Sequence, residues 1–300
     1  MPRQKVGHFS KLAIASAPAV FVLLWSTGFI GAKFGLPYAE PLTFLALRFA
    51  LVCPLLAAVA LAVRAPWPRG AAFWHNVVSG LLLHGVYLSG VFNAIDRGMP
   101  AGIAALMVGL QPLLTSTLAN RWLGEPVRLQ QWIGFVLGVV GVYFVVHGKV
   151  GDGEASLAAW AAISVALLGV TVGTIYQKKF AGGGDLRSNM PVQYGAAVMF
   201  CGAGAFLFET QAIEWSGEFI FALTWLTIIL SWGAIYLFYV MIRRTEATRL
   251  VSLFYLVPPV TAVMSYFLFG ETLDMLAIAG MGVCILGVLL VNWNGTVVRA

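Results

Sequence analysis

The stretch "GLQPLLTSTLANRWLGEPV" at residues 109–127 and the stretch "YLVPPVTAVMSYFLFGETL" at residues 255–273 are one pattern written twice. Each has a proline near its start, an apolar run, and a Gly-Glu pair near its end. Sliding the chain over itself by 146 residues, without gaps from residue 92 to 145, aligns Pro112 with Pro258 and Gly124-Glu125 with Gly270-Glu271. The same register aligns Gly134 with Gly280 and Gly141 with Gly287. Only twelve of 54 positions match, so the weight rests on which residues keep register rather than on how many. At an offset of 145, Gly28 meets Gly173 and Lys33 meets Lys178. The chain therefore reads as two copies of one unit, residues 1–150 and 151–300.

Composition decides what that unit is made of. Apolar residues make up 60% of the chain, charged residues 10%, and the mean hydropathy is +0.88. Soluble domains carry about 45–50% apolar and about 25% charged residues, so a water-exposed surface cannot be covered here. Breaking the sequence at charges, Gly and Pro leaves ten apolar segments, near 14–36, 41–63, 74–95, 101–121, 129–147, 157–179, 190–210, 219–242, 247–268 and 273–293. Each approaches the roughly 20 residues a membrane-spanning helix needs. The fold expected is an all-α membrane protein of ten transmembrane helices, arranged as two five-helix repeats. Five is odd, so the second repeat enters the membrane inverted.

The charges orient it. With a cytoplasmic N-terminus, fourteen of the 18 basic residues fall on the cytoplasmic side and three (Lys33, Arg97, Lys149) outside, with Arg48 inside a span. Basic residues collect on the cytoplasmic side of membrane proteins, so both termini are expected there. The net charge of +6 is thus a topology signal and implies no nucleic-acid partner. The basic start followed by an apolar run imitates a signal peptide, but the run extends past "ASA" at 15–17 and reads as a first helix. Cys53, Cys201 and Cys284 lie in apolar stretches without His or Cys spacing, which suggests packing residues and neither a metal nor a cofactor.

Inverted repeats are a construction principle of alternating-access transporters, with the substrate site near the midplane between the repeats. The sequence here resembles the drug/metabolite transporter superfamily in its EamA-type branch. The resemblance is carried by "PLTFLALRF" at 41–49, with Pro41, Phe44, Arg48 and Phe49, together with the two repeated stretches above. It covers essentially the whole chain. It implies secondary transport of a small-molecule substrate, lipid as the surrounding partner and no obligatory protein partner. Within the branch the chain looks most like bacterial inner-membrane exporters of amino acids, aromatic ones included. Exporters of drugs or other amphipathic metabolites are the alternative.

Polar and aromatic side chains near mid-depth are the substrate-binding candidates. The first half offers Trp25, Ser26, Thr27, Arg48, His84, Tyr87 and Gln111, and the second offers Thr171, Tyr176, Ser231, Trp232, Tyr236 and Tyr255. His84 and Tyr87, three apart, share a helix face. An ionisable residue at membrane depth marks a functional site by default, but a neutral His bonded to a neighbour fits the pattern equally. Arg48 reads as a partner for a substrate carboxylate, as a side chain snorkelling outward, or as a guanidinium held by backbone carbonyls; the offset gives it Gln193 as counterpart, so if it acts it does so in one half only. Pro112, Pro258 and Pro259 are hinge candidates, because proline removes a backbone donor and bends a helix; fixed kinks needed for packing are the alternative. Glu125 and Glu271 are expected to sit against the dipoles of the helices that follow them. The glycines of the fifth and tenth spans suit scaffold or a dimer face.

All twelve carboxylates fall in loops or at helix ends. That favours a facilitator or exchanger unless His84 carries a proton. An enzyme is disfavoured: "GGGD" at 182–185 contains the GxGD of intramembrane aspartyl proteases but has no second Asp at depth, and no HExxH or GxSxG is present. A channel is disfavoured because neither a charge ring nor repeated filter loops appear.

Overall fold

The computed structural model describes residues 11–115, 118, 129–146, 155–234, 237 and 254–292. Among them every extended element is helical; the one β-bridge, Ala39 to Ile213, joins two loops. Helix α1 is Lys11–Gly35 and α2 is Pro41–Ala62, opened by its proline where no backbone donor is lost. Helix α3, Ala71–Asp96, contains a π segment at Leu81–Val86. Helix α4, Ala101–Thr115, has a turn at Leu110, just before Pro112. Helix α5 is Leu129–Val146. Helix α6, Leu157–Ala181, is capped by Ser156, whose Oγ accepts from the Ala159 amide at 3.1 Å, and ends in a π segment at Gln177–Ala181.

Helix α7 is Leu186–Phe208, capped by Asp185. The Arg187 side chain bonds that carboxyl and holds its pKa down to about 2. Helix α8 begins as Gly217–Thr224, capped by Ser216, and continues as the π segment Trp225–Ala234. Helix α9, Val257–Phe269, follows a short 3-10 turn, so Pro258 and Pro259 open it rather than interrupt it. It stops at Gly270, whose φ of +67° suits glycine at a left-handed C-cap. Helix α10 is Met275–Asn292. Five stretches (Pro18–Tyr38, Pro41–Ala62, Ala71–Asp96, Leu157–Ala181, Leu186–Phe208) are long and apolar enough to cross a membrane, and five shorter apolar helices accompany them.

The helices pair in a regular way. The most extensive contacts are α3 with α6 and α5 with α10, followed by α2 with α7 and α3 with α7; α4 lies against α9, and α1 against α8 and α9. In each of these α5/α10, α2/α7 and α4/α9 pairs the chains run oppositely. Gly141 lies against the Gly280 carbonyl while Gly134 lies against Gly287. Leu42 reaches Gly204 while Cys53 reaches the Pro191 carbonyl, and Gly102 faces Ala262 while Gly109 faces Pro258. A Cβ on Gly141 or on Gly287 would come within 2.7 Å of the opposing carbonyl oxygen, so only glycine permits this approach. Gly141 of α5 and Gly287 of α10 thus pack within the chain, whereas Gly282 of α10 faces open space. Outward surfaces are apolar: Phe206, Phe208, Phe267 and Met275 are all exposed.

One end of the bundle gathers carboxylates. Glu209 accepts from the Leu42 and Thr43 amides at 2.8 and 2.7 Å, and Glu40 accepts from the Thr210 and Gln211 amides at 2.7 and 3.1 Å. Each helix end thus caps its neighbour. Glu271 pairs with Lys33 of α1 and accepts from the Ala101 amide of α4 at 3.2 Å. This corrects the expectation for Glu271: its carboxylate sits at the start of α4, and Asp274 instead serves α10 through the Ala277 amide. Leu123–Val127, with Glu125, lies outside the described residues. The opposite end carries Arg64, Arg69, Lys178, Lys179 and Arg187.

Candidate functional site

Four helices from both halves bring polar side chains to one interior place. Helix α2 supplies Arg48, 5% exposed. Its Nη2 donates to Ser231 Oγ of α8 at 3.5 Å, its Nε is buried without a partner, and its guanidinium lies 5.8 Å from the Phe49 ring centroid. Helix α7 supplies Gln193 and Tyr194, both buried. Tyr194 is directed at Ser231, stands edge-on to Phe49 at 5.6 Å, and faces the His84 ring of α3 at 4.4 Å. His84 interacts with Gln193, whose amide donates to Asn76 Oδ1 at 2.9 Å, while the Asn76 amide donates to the Ala72 carbonyl at 2.9 Å. Tyr87, on the same helix, lies within electrostatic reach of Arg48.

Local structure explains the convergence. The π segments of α3 and α8 fall at matching places: shifting Leu81–Val86 by 146 gives 227–232, inside Trp225–Ala234. A π turn spaces its hydrogen bonds one residue wider and is found often at functional sites. Ser231 uses that spacing, donating to the Leu226 carbonyl five residues back at 3.0 Å. Its oxygen is then left to accept from Arg48. Gly80 lets α3 touch the backbone of α7; a Cβ there would lie 2.3 Å from the Gln193 carbonyl oxygen.

The structure thus gathers Arg48, His84, Tyr87 and Ser231 from the sequence candidates. The others lie on different seams. Trp25 stands edge-on to Phe254 at 5.1 Å, and Ser26 donates to the Val257 carbonyl at 3.4 Å, between α1 and α9. Thr27 accepts from the Trp225 indole at 2.8 Å. Gln111 donates to Thr174 Oγ1 at 2.8 Å, linking α4 to α6, and Thr171 is fully buried with its hydroxyl unpartnered. Tyr176 bonds His75 Nδ1 at 2.8 Å at the basic end. Tyr236 and the side chains of Trp232 and Tyr255 lie outside the described residues. Among the described residues no group of His, Cys, Asp and Glu has the arrangement to hold a metal ion.

Tyr194 and Asn76 were not singled out by the sequence. The signal for this region was the 145-residue offset itself, which sets Gln193 opposite Arg48. Reading α2 and α7 as packed equivalents would have drawn in Tyr194 beside it.

With this geometry in hand, comparison with known proteins is informative. The EamA-like transporter family matches residues 13–147 and again 156–293. The uncharacterized transporter YvbV of Bacillus subtilis is 27% identical over 288 residues, covering 94% of this chain and 92% of that protein. A protein of Salmonella typhimurium named "Probable amino-acid metabolite efflux pump" is 25% identical, covering 93% and 94% of the two chains. The uncharacterized inner membrane transporter YedA of Escherichia coli is 27% identical, covering 94% and 91%. A crystal structure superposes with a TM-score of 0.63 at 19% identity, covering 94% of this chain and 98% of its own, a likeness of fold.

Proposed function

This chain belongs to the EamA-like transporter family, whose relatives are membrane transporters, and from that premise we propose that it is a secondary transporter exporting amino acids, aromatic ones included, by alternating access. The observation that carries the reading is the Arg48–Ser231–Tyr194–His84 cluster, which draws on both halves of the chain. A carboxylate has a cation and hydroxyls to meet there, and an aromatic side chain has rings to pack against. The naming of one relative as an amino-acid metabolite efflux pump supports the same substrate class.

Ten crossings in two inverted five-helix repeats are the architecture of this proposal. The opposite running of α2/α7, α4/α9 and α5/α10, each a pair of equivalent helices, supports inversion. The exchange of partners does too: α1 with α8 is the counterpart of α3 with α6. The basic end then lies in the cytoplasm of a bacterial cell, both termini with it, and the carboxylate rim faces outward across the inner membrane. In this frame the outward rim is closed.

Counterflow in proteoliposomes loaded with single amino acids tests the reading. Exchange of Phe, Trp or Thr that weakens in His84→Ala is the expected result, and failure of every amino acid to exchange would overturn it. The export of drugs or amphipathic metabolites is the second reading, favoured by the aromatic walls that Phe49 and Tyr194 provide.

A further inference from the structure

A buried guanidinium without a carboxylate is an incomplete arrangement. Arginine stays protonated in proteins, and an isolated buried charge is expensive, by several kcal/mol per ion even after relaxation. Arg48 is nearly enclosed, yet among the described residues its one hydrogen bond is a long one to Ser231, and its Nε has none. Nor do the described residues hold a balancing acid in reserve. Their eight carboxylates fall in loops or at helix ends, and those at the rim, Glu40, Glu209 and Glu271, are engaged with amides and Lys33. Around Arg48 stand Tyr87, Tyr194, His84, Phe49 and Ser231, which are neutral or, for His84, capable only of adding positive charge.

The two ends of an amino acid therefore meet unequal chemistry. Its carboxylate finds a fixed cation with a free N–H. Among the described residues its ammonium finds no anion, only ring faces. Building on the transport reading above, we propose that this site recognises the carboxylate through Arg48 and leaves the amino group largely unread, so that its substrate class is aromatic and amphipathic monocarboxylates, with amino acids as members rather than the definition. Aromatic walls beside the cation set the body of the ligand: Phe49 and Tyr194 are perpendicular to one another, and His84 closes the third side. Selectivity then falls on charge sign and ring, because binding a solute that lacks the carboxylate leaves Arg48 buried and unpaired, a penalty far larger than losing a solvated ammonium contact.

Three probes of one skeleton separate the ends: L-phenylalanine, 3-phenylpropanoate, which lacks the amino group, and 2-phenylethylamine, which lacks the carboxylate. Purified full-length protein in detergent is titrated with each by intrinsic tryptophan fluorescence, beside Arg48→Gln and Arg48→Lys, and the same three are tested for counterflow. The expectation is that 3-phenylpropanoate binds within about threefold of phenylalanine and the amine binds more than about tenfold more weakly. Arg48→Gln is expected to weaken both acids by about tenfold or more while leaving the amine unchanged, and Arg48→Lys to keep part of the acid binding. An amine that binds as well as the acids, acids that bind equally to Arg48→Gln, or no binding of any probe overturns the proposal. The two readings fail separately. Binding of both acids that is lost in Arg48→Gln, with no counterflow of any amino acid, sinks amino-acid export and keeps this one; exchange of phenylalanine with rejection of 3-phenylpropanoate does the reverse. Because a variant at a buried charge can misfold, thermal unfolding of Arg48→Gln is measured alongside, and Arg48→Lys, which retains the charge, carries the test if Gln unfolds.

Discussion

The carboxylate rim and the central cluster use the same kinds of side chain and differ in how fully those side chains are satisfied. At the rim, Glu40 accepts three hydrogen bonds, from the Thr210 amide and hydroxyl and the Gln211 amide. Glu209 likewise serves Leu42 and both donors of Thr43, and Glu271 serves Lys33 and Ala101. In the interior, Arg48 Nε and the hydroxyls of Ser79, Thr171, Thr227, Thr261 and Ser265 are buried without partners among the described residues. Buried polar groups are ordinarily paired, so a cluster of exceptions asks for an explanation. A wall that holds its shape has every bond made within itself. A pathway keeps some bonds open for water and solute to complete.

The strongest way to break this comparison is to damage the interior while leaving the rim alone. Gly80→Val puts a side chain against the Gln193 carbonyl, where even a Cβ would lie at 2.3 Å, and backbone cannot yield as a flexible side chain would. Overpacking of this kind costs about 1–3 kcal/mol. Separation of α3 from α7 parts His84 from Tyr194, so counterflow should fall by more than about tenfold, the equivalent of about 1.4 kcal/mol in barrier. A variant that folds and exchanges at the native rate would show that the α3–α7 seam does not shape the site.

Damage to the rim should read out as stability instead. Glu209→Ala strips three hydrogen bonds from the first turn of α2, and loss of a helix N-cap typically costs about 1–2 kcal/mol. Thermal unfolding in detergent should register that loss, with apparent substrate affinity unchanged. Altered affinity at unaltered stability would reverse the roles assigned to the two regions.

The Lys33–Glu271 pair sharpens the contrast at a smaller scale. It is partly exposed, with side-chain exposures of 31% and 12%, so the net worth of the pair is at most about 1 kcal/mol. If the rim must part during transport, Glu271→Gln removes about 0.5 kcal/mol of closure and roughly doubles the counterflow rate. The double variant with Lys33→Met should add nothing further, because each change removes the same interaction. A further, additive rise in the double variant would mean that the two side chains act separately.

How much of this was legible beforehand varies by kind of information. Helix positions followed from long apolar runs bounded by Pro41, Gly70, Pro100 and Gly270, a signal that needs no tertiary context. Arg48 and His84 stood out because ionisable residues are rare at depth. Glu271 did not reveal its partner, since a carboxylate ahead of a helix reads as a cap for that helix, and only packing brings Lys33 and the start of α4 beside it. Tyr194 looked like any aromatic residue in an apolar run. What distinguishes it is a neighbour on another helix, and hydropathy carries no information about which helices touch. The π segments were equally hidden, as neither Leu81–Val86 nor Trp225–Ala234 differs in composition from the α-helix around it.

The smallest expected effect tests the interior half of the comparison most directly. Thr261 is fully buried on α9, and its usual acceptor, the carbonyl four residues back at Val257, already accepts from Ser26. Its repeat counterpart, Thr115 of α4, has an unpartnered hydroxyl too. Replacing Thr261 by Val keeps the branched shape and removes a hydroxyl that gains nothing from the protein. Removing a buried, unpaired polar group should leave stability unchanged or raise it by up to about 1 kcal/mol, because the desolvation cost is relieved and no bond is lost. Counterflow should hold within about twofold, a barrier change of about 0.4 kcal/mol. A loss of stability above about 1 kcal/mol would mean that water bonds this hydroxyl in the membrane-embedded protein, since an ordered water can nearly replace a direct hydrogen bond. A loss of exchange at full stability would instead make Thr261 part of the path the solute takes, extending the pathway from Arg48 to the α4–α9 seam.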